Sequence, residues 1–142
     1  MPLSRLLLLL AVAACAAPPE PGAPSPAARA ELGPLPASFI NTPSCSGCLA
    51  VTVTLRADGA YTVRERLGTS EFYDFGAWRE TDGILHLAGG RDALRRYRLA
   101  QGGLLEAREG TPGGDLRRAA EPESLRGPFR MLGRYDGEVF QE

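Results

Sequence analysis

From Leu49 onward, hydrophobic and polar positions alternate with a period of two. Leu49, Val51, Val53 and Leu55 share one face of a strand, and Thr52, Thr54 and Arg56 share the other. Ala57-Asp58-Gly59 is a hairpin signal, and residues 61–67 form the returning strand. A third strand is predicted over residues 72–80, and Thr81-Asp82-Gly83 turns it into a fourth over residues 84–88. Gly89-Gly90 and Gln101-Gly102-Gly103 punctuate two more, at residues 94–100 and 104–108. No stretch of this body carries a 3.6-residue apolar stripe. The pattern predicts an all-β domain, a small antiparallel meander that closes into a barrel, because so long a meander otherwise leaves exposed edges. After a loop at residues 109–115, segments 125–132 and 138–141 are the predicted source of one or two closing strands.

The N-terminal end follows different rules. Met1 to Arg5 carries one positive charge, residues 6–12 are unbroken apolar sequence, and Ala13-Ala14-Cys15 supplies small residues for a signal peptidase. Val12-Ala13-Ala14-Cys15 resembles the bacterial lipobox, which implies that Cys15 is acylated and becomes the first residue of the mature chain. Several acyl chains on one cysteine give stable anchoring where one holds only marginally. Ala16 follows, with no Asp to suggest inner-membrane retention, so the lipoprotein sorting analogy implies an outer-membrane anchor facing the periplasm. A plain secretory signal with an incidental Cys15 is the alternative. Residues 16–37 hold seven Pro and seven Ala and no aromatic residue. That composition predicts a disordered, semi-stiff spacer, with at most a short helical turn over residues 27–32. The expected organisation is a signal peptide at 1–14, a lipidated cysteine and Pro/Ala-rich tether at 15–37, a barrel at 38–120 and a tail at 121–142.

Composition narrows the function further. The 142 residues have a net charge of −1, so a basic surface for nucleic acid is not expected. No G-x-S-x-G, H-E-x-x-H, P-loop or dinucleotide fingerprint appears, and the single histidine lies mid-strand. A non-enzymatic role is expected.

Three cysteines divide into one and two. With Cys15 taken by lipid, Cys45 and Cys48 remain as a C-x-x-C pair placed just before the first predicted strand. Three chemistries compete for the pair. A thioredoxin-like redox centre wants this spacing at a helix N-terminus within a βαβ unit, which the meander does not offer. A disulfide tying a loop suits an oxidising compartment. Two thiolates also suit Cu(I), which accepts few ligands, whereas zinc would want four. His86 is a weak third ligand candidate, and Met131 a weaker thioether. Glu65 shares a face with Tyr61, Val63 and Leu67, so it lines the lumen or marks where the strand leaves the core. Arg95, Arg96 and Arg98, with Arg117 and Arg118, are expected on a solvated face, or against anionic lipid or a partner. Trp78 and Tyr97 are expected to fill the core or a shallow mouth.

Pro43, Cys45 and Cys48 ahead of a strand at residues 51–55, then Asp58-Gly59-Ala60-Tyr61, Gly76-Ala77-Trp78, Leu85-His86-Leu87, Tyr97 and Leu104-Leu105-Glu106, occur in the order seen in the N-terminal domain of the NlpE lipoproteins. The resemblance covers roughly residues 35–115. The C-x-x-C is its most specific element. It implies a lipocalin-like β-barrel, an outer-membrane lipid anchor, and a role in copper tolerance, with Cu(I) as the metal, or in signalling envelope stress to a sensor kinase. Longer members carry a second, OB-like domain with further cysteines, and Leu125-Arg126-Gly127 resembles its beginning. Ser44 is an extra residue between Pro43 and Cys45. The competing functions are a lipocalin-like carrier of a small apolar ligand and a non-catalytic interaction module.

Overall fold

The computed structural model describes residues 23–88 and 94–123, together with the backbone of residues 131–135 and 138–141. The signal segment, Cys15 and residues 125–130 lie outside the described residues. In chain order the elements are a helix, α1 (Pro26–Leu32), and the strands β1 (Ala37–Ile40), β2 (Ala50–Leu55), β3 (Ala60–Leu67), β4 (Ser70–Thr81), β5 (Ile84–Ala88), β6 (Arg95–Ala100), β7 (Leu104–Ala107), β8 (Leu116–Arg118), β9 (Met131–Tyr135) and β10 (Glu138–Gln141).

Strands β1 to β8 form a closed antiparallel barrel in simple sequence order. The period-two faces of β2 to β7 set its walls. Val51, Val53 and Leu55 of β2, Tyr61 and Val63 of β3, Trp78 of β4, Leu85 and Leu87 of β5, Tyr97 of β6 and Leu105 of β7 all turn inward and are buried. Gly76 sits directly opposite Tyr61 in the β3–β4 register, and a Cβ there would collide with the Ala88 carbonyl and crowd the Tyr61 ring. The β4–β5 hairpin turns through Asp82 and Gly83, both with positive φ (52° and 77°), which Asp tolerates and Gly adopts freely. The Glu80 carboxylate accepts the Gly83 amide at 2.7 Å and fixes this turn.

Closure differs from the sequence expectation. The seam is made by β1 and β8, with Phe39 opposite Arg118 and Ile40 opposite Arg117. The tail does not supply it, because β9 and β10 pair with each other in a separate two-stranded sheet. Both seam strands are only a few residues long. β1 is wedged between Pro36 and Asn41, and β8 carries a single apolar residue, Leu116, so neither displays an alternation long enough to read.

The tether expectation is also corrected for its C-terminal half. Ser25 caps α1 through its side-chain oxygen, which accepts the Ala28 amide at 3.2 Å, and Pro26 occupies the first turn. The helix buries Ala28 and Leu32, and Leu32 is 1% exposed within the barrel's own core cluster. The Ser25 amide donates to Glu80 at 2.9 Å, and Arg118 donates to the Pro34 carbonyl at 2.9 Å. A seven-residue helix is not stable alone in water. Here the barrel supplies the apolar partner that composition could not reveal, and α1 plugs one end.

Candidate functional site

The registers give the barrel two unlike ends. At one lie α1 and the turns after β2, β4 and β6. At the other lie the ends of β1, β3, β5 and β7 and the loop carrying Cys45 and Cys48.

In that loop Cys45 and Cys48 are joined in a disulfide with Cα atoms 5.2 Å apart. Cys45 and its neighbours Ser44, Ser46 and Gly47 are exposed, and Cys48 is half-buried. The base of the loop is held by one side chain. Asn41 donates through Nδ2 to the Leu49 carbonyl at 2.8 Å and the Gly113 carbonyl at 2.9 Å, and its Oδ1 accepts the Val51 amide at 2.8 Å. Gly113 is required there, since a Cβ would run into Val51. The Asn41 side chain therefore ties the start of β2 to the β7–β8 loop.

Below the loop, the lumen carries charge. Arg95 is 2% exposed, and its Nη2 donates to Glu65 Oε1 at 2.7 Å. The pair joins β6 to β3 with two strands between them, so it spans the lumen. Burial works against the Arg95 charge, but the Glu65 hydrogen bond and charge outweigh it and raise the Arg95 pKa. Burial raises the pKa of Tyr97, which stands beside Arg95, and that of Tyr61, where the Asp74 charge adds to it. On the outer wall, partial burial and a 2.9 Å bond to Glu71 push Tyr73 up to about 12. Arg95 thus overturns the expectation of a solvated arginine face. It is in phase with inward-facing Tyr97 and Leu99, and Glu65 is there to neutralise it. Arg96 and Arg98 do face outward, and Arg98 pairs with Glu106.

The remaining candidates are scattered. His86 lies on the outer face of β5 between Arg79 and Arg96 in the two registers, a poor setting for a cation ligand. Three strand spacings, about 14 Å of wall, separate β5 from β2. The structure therefore does not bring His86 to the cysteine pair, and no group of three or more His, Cys, Asp or Glu ligands occurs among the described residues. Met131 is described in its backbone alone. Trp78 is fully buried and donates through Nε1 to the Arg56 carbonyl at 2.9 Å. Together with Phe39, Tyr97 and the core leucines it belongs to the barrel's buried core cluster. A groove of about 560 Å³ lies beside α1, lined by Arg29, Leu32, Pro34, Leu35 and Ala57 among others.

Fold and site together define a small closed barrel, packed at its core, plugged by a helix at one end and bearing a disulfide-closed C-x-x-C loop at the other. Over 97 residues the chain is 36% identical to lipoprotein NlpE of Escherichia coli K12, covering 62% of this chain and 41% of that protein. It is similar to NlpE over that stretch, and the chain spans about two fifths of the length of the curated relative it matches. The crystal structure of the Cpx pathway activator NlpE from Escherichia coli aligns with a TM-score of 0.44 and 24% identity, covering 68% of this chain and 52% of that one. No family model matches the chain.

Proposed function

We propose that the protein is a lipoprotein of the cell envelope, anchored at the outer membrane through acyl chains on Cys15, which activates a Cpx-type envelope-stress pathway through an envelope sensor kinase. The similarity to NlpE carries this reading. One geometry suits this reading. Because α1 is docked on the barrel, only residues 16–24 run from Cys15 to the Ser25 cap, a reach of about 30 Å. The plugged end then faces the membrane, and the Cys45–Cys48 loop faces away, toward partners. The test is to produce the chain in a bacterium that lacks its own NlpE and carries a Cpx-responsive reporter. Several-fold induction is expected, and a silent reporter with folded, membrane-bound protein would reject the role. Cys15→Ser should release the protein from membranes.

Copper tolerance is a second reading of the same loop. It needs the reduced pair, because bonded sulfurs are not available as thiolates. Two thiolates on an exposed loop whose base Asn41 holds suit the low coordination number of Cu(I). Competition of the reduced protein with a chromogenic Cu(I) chelator should show one-to-one binding that Cys45→Ser/Cys48→Ser abolishes. Equal, weak binding by both forms would remove copper from the account.

A further inference from the structure

We infer that Cys45–Cys48 is an exchange-active disulfide, open to attack by the thiolate of a dithiol protein, and not a staple of the fold. This goes beyond the pathway role proposed above and takes from it only an oxidising compartment. It stands even if the stress reporter stays silent.

Three observations converge on it. The bridge closes a ring of only four residues, so it removes little freedom from the unfolded chain. The loop base is held independently, by the Asn41 side chain bonding Leu49, Val51 and Gly113 and by the Asn41 amide donating to the Val51 carbonyl at 3.2 Å. The barrel therefore keeps its shape at this end without the sulfur–sulfur bond. Finally, the approach to Cys45 is clear. It is exposed, its neighbours are two serines and a glycine, and nothing lies within 4 Å of where a Gly47 Cβ would stand. Cys48 is half-buried, so Cys45 is the sulfur that an incoming thiolate meets.

The step is an ordinary thiol–disulfide exchange. The partner's thiolate forms a bond to Cys45 Sγ as the Cys45–Cys48 bond breaks, and Cys48 leaves as a thiolate and takes up a proton. The partner's second cysteine then displaces Cys45. The partner's dithiol is oxidised to a disulfide, and this chain gains two electrons and two protons. Exposed apolar residues flank the loop, Ile40 (40%) at the end of β1 and Leu67 (51%) at the end of β3, one strand away on either side of β2. They give a protein thiol a footing that a small thiol cannot use.

The experiment uses the full chain with Cys15→Ser. It is mixed with a reduced thioredoxin-fold protein whose resolving cysteine has been changed to alanine, and in parallel with dithiothreitol. A trapped mixed disulfide mapping to Cys45 is expected. Leu67→Glu and Ile40→Glu are expected to slow the protein reaction about tenfold while changing the dithiothreitol rate less than about twofold. The Cys45→Ser/Cys48→Ser protein should retain its circular dichroism and give no adduct. No adduct with the folded protein, attack at Cys48, or equal slowing of both reactions would each overturn the inference. So would loss of the barrel on reduction.

Discussion

Truncation of Leu32 to alanine tests whether α1 belongs to the barrel or to the tether. Leu32 is 1% exposed and packs into the same cluster as Phe39, Trp78 and Leu116. Full burial of a leucine contributes roughly 1.5–3 kcal/mol. The cavity left in a closed barrel adds to the loss, because strands hydrogen-bonded on both sides cannot collapse inward. Leu→Ala changes at comparable sites cost about 2–5 kcal/mol, so about 3 kcal/mol is expected here. Against a domain stability of roughly 5–15 kcal/mol that is a large share, and it corresponds to a fall in Tm of about 12–24 °C. Trp78, the chain's single tryptophan, is fully buried and reports unfolding by fluorescence in a urea titration. The midpoint should fall with little change in slope. Arg29→Ala, on the exposed side of the same helix, should stay within about 0.5 kcal/mol. A Leu32→Ala effect below about 1 kcal/mol would refute the argument and return residues 26–32 to the tether.

Three further outcomes follow from the site. Glu65→Gln and Arg95→Met should each destabilise by about 2–4 kcal/mol, and Glu65→Leu/Arg95→Met by less than either, because the double change removes both members of the pair and strands neither; additive losses would contradict the pairing. Asn41→Ala removes three side-chain hydrogen bonds and should cost about 2–3 kcal/mol, with faster amide exchange at Val51; unchanged protection there would argue against the clamp. Tyr61, Tyr73 and Tyr97 all have folded pKa values raised by burial, so they favour the neutral form in the folded state. Their contribution is full below about pH 10, where the unfolded chain begins to ionise, and is lost as pH climbs toward the folded values. Urea midpoints should therefore drop between about pH 10 and pH 12, and a flat profile would show these phenols to be solvated.

The sequence displayed the walls of the barrel but not its seam. Alternation at Val51-Thr52-Val53-Thr54-Leu55 and Ile84-Leu85-His86-Leu87-Ala88 is long enough to declare a half-buried strand. Ala37-Ser38-Phe39-Ile40 and Leu116-Arg117-Arg118 are too short, and only their long-range pairing makes them strands. Leu32 was hidden by its neighbours, since burial of one leucine depends on a surface folded from elsewhere in the chain. At the site, Cys45 and Cys48 stood out by spacing. Arg95 did not, although its phase with Tyr97 and Leu99 and the matching phase of Glu65 with Tyr61 and Val63 held the signal. A run of arginines reads as solvent-facing until one of them finds a carboxylate across a lumen.

The β1–β8 seam also governs when the molecule can exist. Its two partners are the first and last strands of the barrel, with 75 residues between them (41–115), so the ring is completed only once the whole stretch is available. Contacts of such long sequence separation are slow to form. A polypeptide emerging amino-end first would present Leu32, Phe39 and an unpaired β1 edge well before β8 arrives to cover them. During that interval the chain is adhesive, and a binding protein that shields β1 would raise the yield of the folded form without contributing anything to its final stability.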